Sequence, residues 1–216
     1  MSSLIYHVEQ DQVFIATDTL ATTTDGKPAF FTSKVFTLPH LKLLICGTGY
    51  SGFLGTWLIH INDRMVVRGI DNLNYHTPKA LNTLWCNFQK VMDIPSNKTT
   101  TIYHFGFSEK EDIIHSYVYR SSKNFVSESR EDGIGIKPEC TFIPEYEFPT
   151  DIPRMMVEQR MIQKDKPVNE KVYIGGEIMI HHLNRNGIMI YSLGKFDDFE
   201  EIEEKIFSNY SKFSKS

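Results

Sequence analysis

Ser2, directly after the initiator methionine, is the first residue of this chain with the makings of a catalyst. Methionine is removed when the next side chain is small, and the serine then exposed carries a hydroxyl and a free α-amine on one residue. With a reference pKa of about 7.7–8.0, that amine can take the hydroxyl's proton near neutral pH, so nucleophile and general base need no histidine. The chemistry on offer is attack on a carbonyl, as in the hydrolysis of an amide. Taken singly, the residue types mean less: a serine after methionine is commonly an exposed terminus, Asp18 at a strand end serves as a turn or cap residue, and Lys34 suits a solvated strand position.

Other clusters carry weaker chemistry. The run Gly47 to Gly52 lacks the Lys-Ser/Thr ending of a phosphate-binding loop. His181 and His182 are adjacent on a β-prone segment and point to opposite faces, which argues against joint metal ligation. Cys46, Cys86 and Cys140 lack metal-type spacing, and their odd number fits a reducing compartment better than a disulfide framework. We expect neither metal nor cofactor. Acidic and basic residues are interspersed at a net charge of −4, which leaves no basic stripe for nucleic acid. The apolar runs are too short to cross a bilayer and no leader segment is visible, so the expectation is a cytoplasmic protein, with the sequons at Asn97 and Asn209 accidental.

With 216 residues, 41% of them hydrophobic and 23% charged, the chain suits one soluble domain, residues 1–216, with 209–216 as a candidate disordered tail. Residues 4–8 and 12–17 read as a hairpin. Further strands are expected at 29–31, 34–38 and 41–46, then a helix over 53–67. A second helix is expected over 77–92, opened by Thr77-Pro78 as cap and first-turn proline. Strands return at 100–107 and 113–119. Residues 121–136 are hard to place, with 124–127 a candidate strand. A helix over 151–163, a hairpin of 172–183 with 188–193 turning on Asn186-Gly187, and an acidic helix over 199–207 complete the chain. Strands, helices, strands, helices and a final hairpin imply an α+β layered arrangement.

Asp18 lies sixteen residues after Ser2, and Lys34 sixteen further. That register, with the text Val13-Phe14-Ile15-Ala16-Thr17-Asp18-Thr19-Leu20-Ala21-Thr22, Lys34-Val35-Phe36 and Cys46-Gly47-Thr48-Gly49, resembles proteasome β subunits and their bacterial homologues among the N-terminal-nucleophile hydrolases. Ile174-Gly175-Gly176-Glu177-Ile178 resembles their closing strands. The likeness is strong over the first quarter and patchy afterwards, which supports fold more than activity. It implies a four-layer αββα sandwich of two mainly antiparallel sheets flanked by helices. It implies Ser2 as nucleophile, Lys34 as the cation that depresses the amine's pKa, Asp18 as its partner, and the backbone N–H of Thr48 or Gly47 as oxyanion donor. Ser129 is the candidate supporting serine, whereas Lys171 stands where the pattern has an aspartate, with Asp165 and Asn169 out of register.

Strand alternation adds a pocket. Thr32 and Phe36 should share a face with Lys34, and Cys46 should share one with Thr48. With Ala21 and Tyr50 these line a pocket whose Cys46 floor would prefer a medium-sized apolar group. The resemblance further implies a peptide or protein substrate, a homo-oligomer (a ring or a dimer of rings) and a separate ATPase partner. Two alternatives stay open: a catalytically inactive subunit of the same fold with an assembly role, and a stand-alone amidase acting on a small molecule.

Overall fold

Residues 13–16 and 43–46 are apolar on both faces of their strands, because both faces there are covered. The computed structural model describes residues 3–23, 25–141, 146–168 and 170–213. Strands β1 (Leu4–Val8) and β2 (Gln12–Asp18) form the expected hairpin. They join β10 (Gly133–Lys137), β11 (Glu177–Asn184) and β12 (Gly187–Lys195) in a five-stranded sheet ordered β10-β1-β2-β11-β12. A second five-stranded sheet runs β5 (Val35–Leu38), β6 (Leu43–Thr48), β7 (Thr101–Phe107), β8 (Ile114–Arg120) and β9 (Ser127–Arg130) in chain order. The short pair β3 (Leu20–Thr22) and β4 (Pro28–Phe31) stands apart. Among the described residues all three sheets are antiparallel, and four α-helices accompany them: α1 (Ser51–Arg64), α2 (Ile70–Val91), α3 (Ile152–Lys164) and α4 (Phe199–Phe213). The chain is therefore α+β.

Three cores follow from side-chain alternation. Leu4, Val13 and Ile15 of the first sheet meet Leu44, Cys46, Tyr103 and Val118 of the second, closing the sheets on each other. The opposite faces bury elsewhere. Ile5, Ala16, Ile178 and Ile180 pack on Ile152, Met155 and Met156 of α3, while Leu43, Ile45, Ile102 and Tyr119 pack on Phe53 and Trp57 of α1 and on Leu73, Leu81 and Trp85 of α2.

Several expectations need correction. Helix α2 starts at Ile70 and carries Pro78 inside it. Tertiary contacts outweigh the proline: Ile70, Leu73 and Thr77 are buried, and Glu109 accepts hydrogen bonds from the backbone N–H groups of Asp71 (3.0 Å) and Asn72 (2.8 Å), capping a helix end that has no local cap. The stretch after β8 opens as a 3-10 turn at Ser121–Lys123 and continues as β9 and β10, not as a strand at 124–127. Residues 172–176 lie outside any strand, so the last hairpin begins only at Glu177. Its turn residues are Arg185 and Asn186, and the positive φ of +139° falls on Gly187, paired with Asn184.

Candidate functional site

The two halves of the candidate site meet on one carboxylate. Asp18 ends β2, and Ser3, which precedes β1, lies beside it because the hairpin register pairs Leu4 with Thr17. The backbone N–H of Ser3 donates to Asp18 Oδ1 at 3.0 Å, and Lys34 Nζ donates to the same oxygen at 2.7 Å. The Gly175 N–H donates to Asp18 Oδ2 at 3.1 Å. Asp18 is fully buried and Lys34 only 8% exposed, so this ion pair sits in a low-dielectric interior. Burial pulls the pKa of the Lys34 ammonium below its ordinary value, and the Asp18 carboxylate opposes that pull. A second N–H of Lys34 goes to the Leu20 carbonyl at 2.7 Å, which leaves one of its three donors uncommitted among the described residues.

The backbone around this pair is clamped. Thr32 N–H donates to Thr19 O at 2.8 Å, Leu20 N–H to Gly175 O at 3.0 Å, and Glu177 N–H to Thr19 Oγ1 at 2.8 Å. Gly176 has φ +83°, and a Cβ there would collide with Thr19 Oγ1, so glycine is required for the turn that aims the Gly175 N–H at Asp18. The sequence motif Gly175-Gly176 thus has a local cause.

Ser2 lies outside the described residues. What the structure fixes is the nitrogen that bears it, that of Ser3. The Ser3 hydroxyl is already engaged, donating to Gln159 Oε1 of α3 at 2.5 Å, and Gln159 in turn donates to the Pro138 carbonyl.

Gly47 and Thr48 close β6 beyond the end of β5, whose ladder reaches only Cys46. Alternate residues of a strand address alternate neighbours, so one of these two directs its N–H to the side that β5 leaves open. Tyr50 precedes α1 and packs against its core, half-buried. Cys46 is fully buried between the sheets, so it forms no pocket floor; the strand alternation that pairs it with Thr48 turns both toward the sheet interface. Lys34 sits in the bend before β5 and not on the strand, so the shared strand face expected for Thr32, Lys34 and Phe36 does not exist. Thr32 and Phe36 do line a cleft of about 600 Å³, with Phe31, Leu58, Met179 and Phe199. Ala21 pairs with Phe30 in the small sheet. Ser129 is exposed on β9, at the opposite edge of the second sheet from β5, and is not brought to the Asp18–Lys34 pair.

Sequence reasoning missed a second lysine. Lys137 ends β10 as the register partner of Leu4, and its Nζ donates to Thr48 Oγ1 at 3.1 Å. Both line a cleft of about 610 Å³ that also touches Pro138, Cys140, Ile162 and Val172. Thr48 belongs to the second sheet, whereas Ile162 lies on α3 and Val172 packs with that helix on the far face of the first sheet. A cleft that reaches both passes round the end of the first sheet, where β1 starts and β10 stops. The sequence carries no signal for this lysine, because the glycine-rich residues 133–137 become a strand only by pairing with β1.

Among the described residues no group of three or more His, Cys, Asp or Glu side chains is placed to hold a metal, and no helix is long and apolar enough to cross a membrane.

Neither a family model nor a curated protein matches this chain. Solved structures do. Anbu (ancestral beta-subunit) from Yersinia bercovieri shares 7% identity at a TM-score of 0.60, covering 99% of this chain and 95% of that one. The helical assembly of the Anbu complex from Pseudomonas aeruginosa gives 9% identity and a TM-score of 0.64, with 99% and 95% covered. An Anbu (Gly-1) mutant from Hyphomicrobium sp. strain MC1 gives 10% and 0.62, with 100% and 97% covered. These findings correct the family assignment suggested by the early residues: the three structures named are Anbu (ancestral beta-subunit) proteins at 7–10% identity. At that identity the likeness shows a shared proteasome-like fold alone.

Proposed function

We propose that this chain hydrolyses amide bonds of peptides, with the Ser2 hydroxyl as nucleophile and the α-amine of the same residue, freed by removal of Met1, as general base. The observation that carries this reading is the meeting of Ser3 N–H and Lys34 Nζ on one Asp18 oxygen, at 3.0 and 2.7 Å. It ties the nitrogen that bears Ser2 and a buried cation to a common anchor. The uncommitted Lys34 donor is available to a hydroxyl at residue 2, and its charge disfavours protonation of a nearby amine. Of the two leading serines, Ser3 is excluded as nucleophile by its burial and its bond to Gln159. An N–H of Gly47 or Thr48 on the open side of β6 supplies the donor for the developing oxyanion, an interaction worth about 2.7–4 kcal/mol of barrier.

Two wider readings go with it. The three stacked cores support a four-layer αββα sandwich. The helical assembly of a structural neighbour supports self-association of this chain, which light scattering of the purified protein tests. An assembly subunit without catalysis is the competing reading, and it is favoured by retention of Met1.

The deciding experiment measures hydrolysis of fluorogenic peptidyl amides together with the intact mass of the native protein. The reading requires a mass beginning at Ser2, and a loss of turnover of about a thousandfold or more in Ser2→Ala. Undiminished hydrolysis in that variant, or none by protein that starts at Ser2, overturns it.

A further inference from the structure

The cleft that passes round the end of the first sheet holds a charge that no carboxylate among the described residues answers. Lys137 shares its face with Leu4, so its side chain enters the space between the sheets and reaches Thr48. Among the described residues no carboxylate forms an ion pair with it, and the Thr48 hydroxyl is its one hydrogen-bond partner. Two of its three N–H groups remain to be given. The neighbouring cation does not compensate. Arg120 faces Thr101, which faces Thr48, so the three side chains share a sheet face, and Arg120 is itself engaged by Glu128 at 2.5 Å. Burial lowers the Lys137 pKa, and Arg120 adds to the effect. Among the described residues the remaining charged members of the cleft lining are Lys166 and the exposed Glu139, which makes two lysines against one glutamate there.

A partly desolvated ammonium gains most from an anion that brings its own acceptor oxygens, whereas a neutral or cationic group would leave it poorly paired. The Thr48 hydroxyl, which accepts from Lys137, still has its own proton to donate to the same anion. We propose that Lys137 and Thr48 bind a carboxylate of the substrate, so that the cleft selects peptides that carry one beside the bond to be cut. The role of that bond rests on amide hydrolysis at Ser2; the carboxylate site does not, and titration of Ser2→Ala beside the unaltered chain measures it apart from turnover.

Isothermal titration of the full chain with blocked tripeptides separates the two sources of a carboxylate. Acetyl-Ala-Ala-Glu-amide against its Gln counterpart tests a side-chain carboxylate, and acetyl-Ala-Ala-Ala acid against its amide tests a terminal one. The expected result is about tenfold or more tighter binding of at least one acid over its neutral partner. That preference is lost in Lys137→Met, kept in Lys137→Arg, and unchanged in Ser2→Ala. Equal binding of acid and neutral peptides by the unaltered chain overturns the proposal even if Lys137→Met fails to fold. A preference that persists in a folded Lys137→Met overturns it as well. Selective binding without hydrolysis would leave the carboxylate site standing and remove only the catalytic reading.

Discussion

At the scale of single residues, Asp18 and Lys34 form a buried pair with unequal stakes. Asp18 is held by Lys34 and also by the N–H groups of Ser3 and Gly175. Lys34 depends on Asp18 for its only charged partner among the described residues. Removing the carboxylate leaves a buried ammonium and two unpaired N–H groups, so Asp18→Ala should cost about 3–5 kcal/mol of stability, read by urea denaturation. Lys34→Met should cost less, because the remaining carboxylate keeps two donors; equal losses would refute this account of the pair. The buried histidines make a second prediction. Burial depresses the pKa of His104 to about 3 and that of His181 to about 4. The Trp57 indole donates to His104 Nε2 at 2.9 Å, so the proton resides on Nδ1, which has no partner among the described residues. Both rings stay neutral in the fold at pH values where the unfolded chain, with a histidine pKa of about 6.5, is protonated. Unfolding therefore takes up protons between about pH 6.5 and 4. Their contribution to stability is full above that window and falls as the pH drops through it. Urea midpoints at about pH 7 and 5 should differ, and His181→Gln should narrow the difference. A stability that does not change with pH there would contradict the burial of both rings.

At the scale of elements, local signals were decisive where they did not compete with packing. The β1–β2 hairpin, strands β7 and β8, and helix α3 were legible from alternation, helical spacing and turn residues. Helix α2 was half legible. Pro78 reads as a first-turn residue, yet the helix gains two further turns because Ile70 and Leu73 are buried and Glu109, distant in sequence, caps its first N–H groups. Replacing Glu109 with alanine should destabilise the protein by about 1 kcal/mol, with a readout in the denaturation midpoint. No change would mean that burial alone sets the start of α2. Strands β9 and β10 were not legible, since Ser127–Arg130 is polar and Gly133–Lys137 is glycine-rich, and both become strands only by pairing with β8 and β1. The loss of β10 hid Lys137. The placement of Lys34 on a strand failed for a related reason: the backbone between β4 and β5 bends to bring its ammonium to Asp18 and the Leu20 carbonyl.

At the scale of the molecule, the candidate site lies at the end of the first sheet, where β1 begins. The cleft there reaches from the second sheet to α3 because the sheets are closed on each other and each is covered on its outer face. The order of strands and helices made the α+β class legible, but the Gly175 N–H that holds Asp18 and the Gln159 amide that holds the Ser3 hydroxyl come from parts of the chain that only folding brings near. The most direct measurement is the site of covalent modification when natively processed protein meets a serine-reactive electrophile, mapped by peptide mass spectrometry. The account predicts a single adduct on Ser2, formed at least tenfold more slowly in Lys34→Ala. An adduct on another residue, or a Ser2 adduct whose rate ignores Lys34, would contradict it.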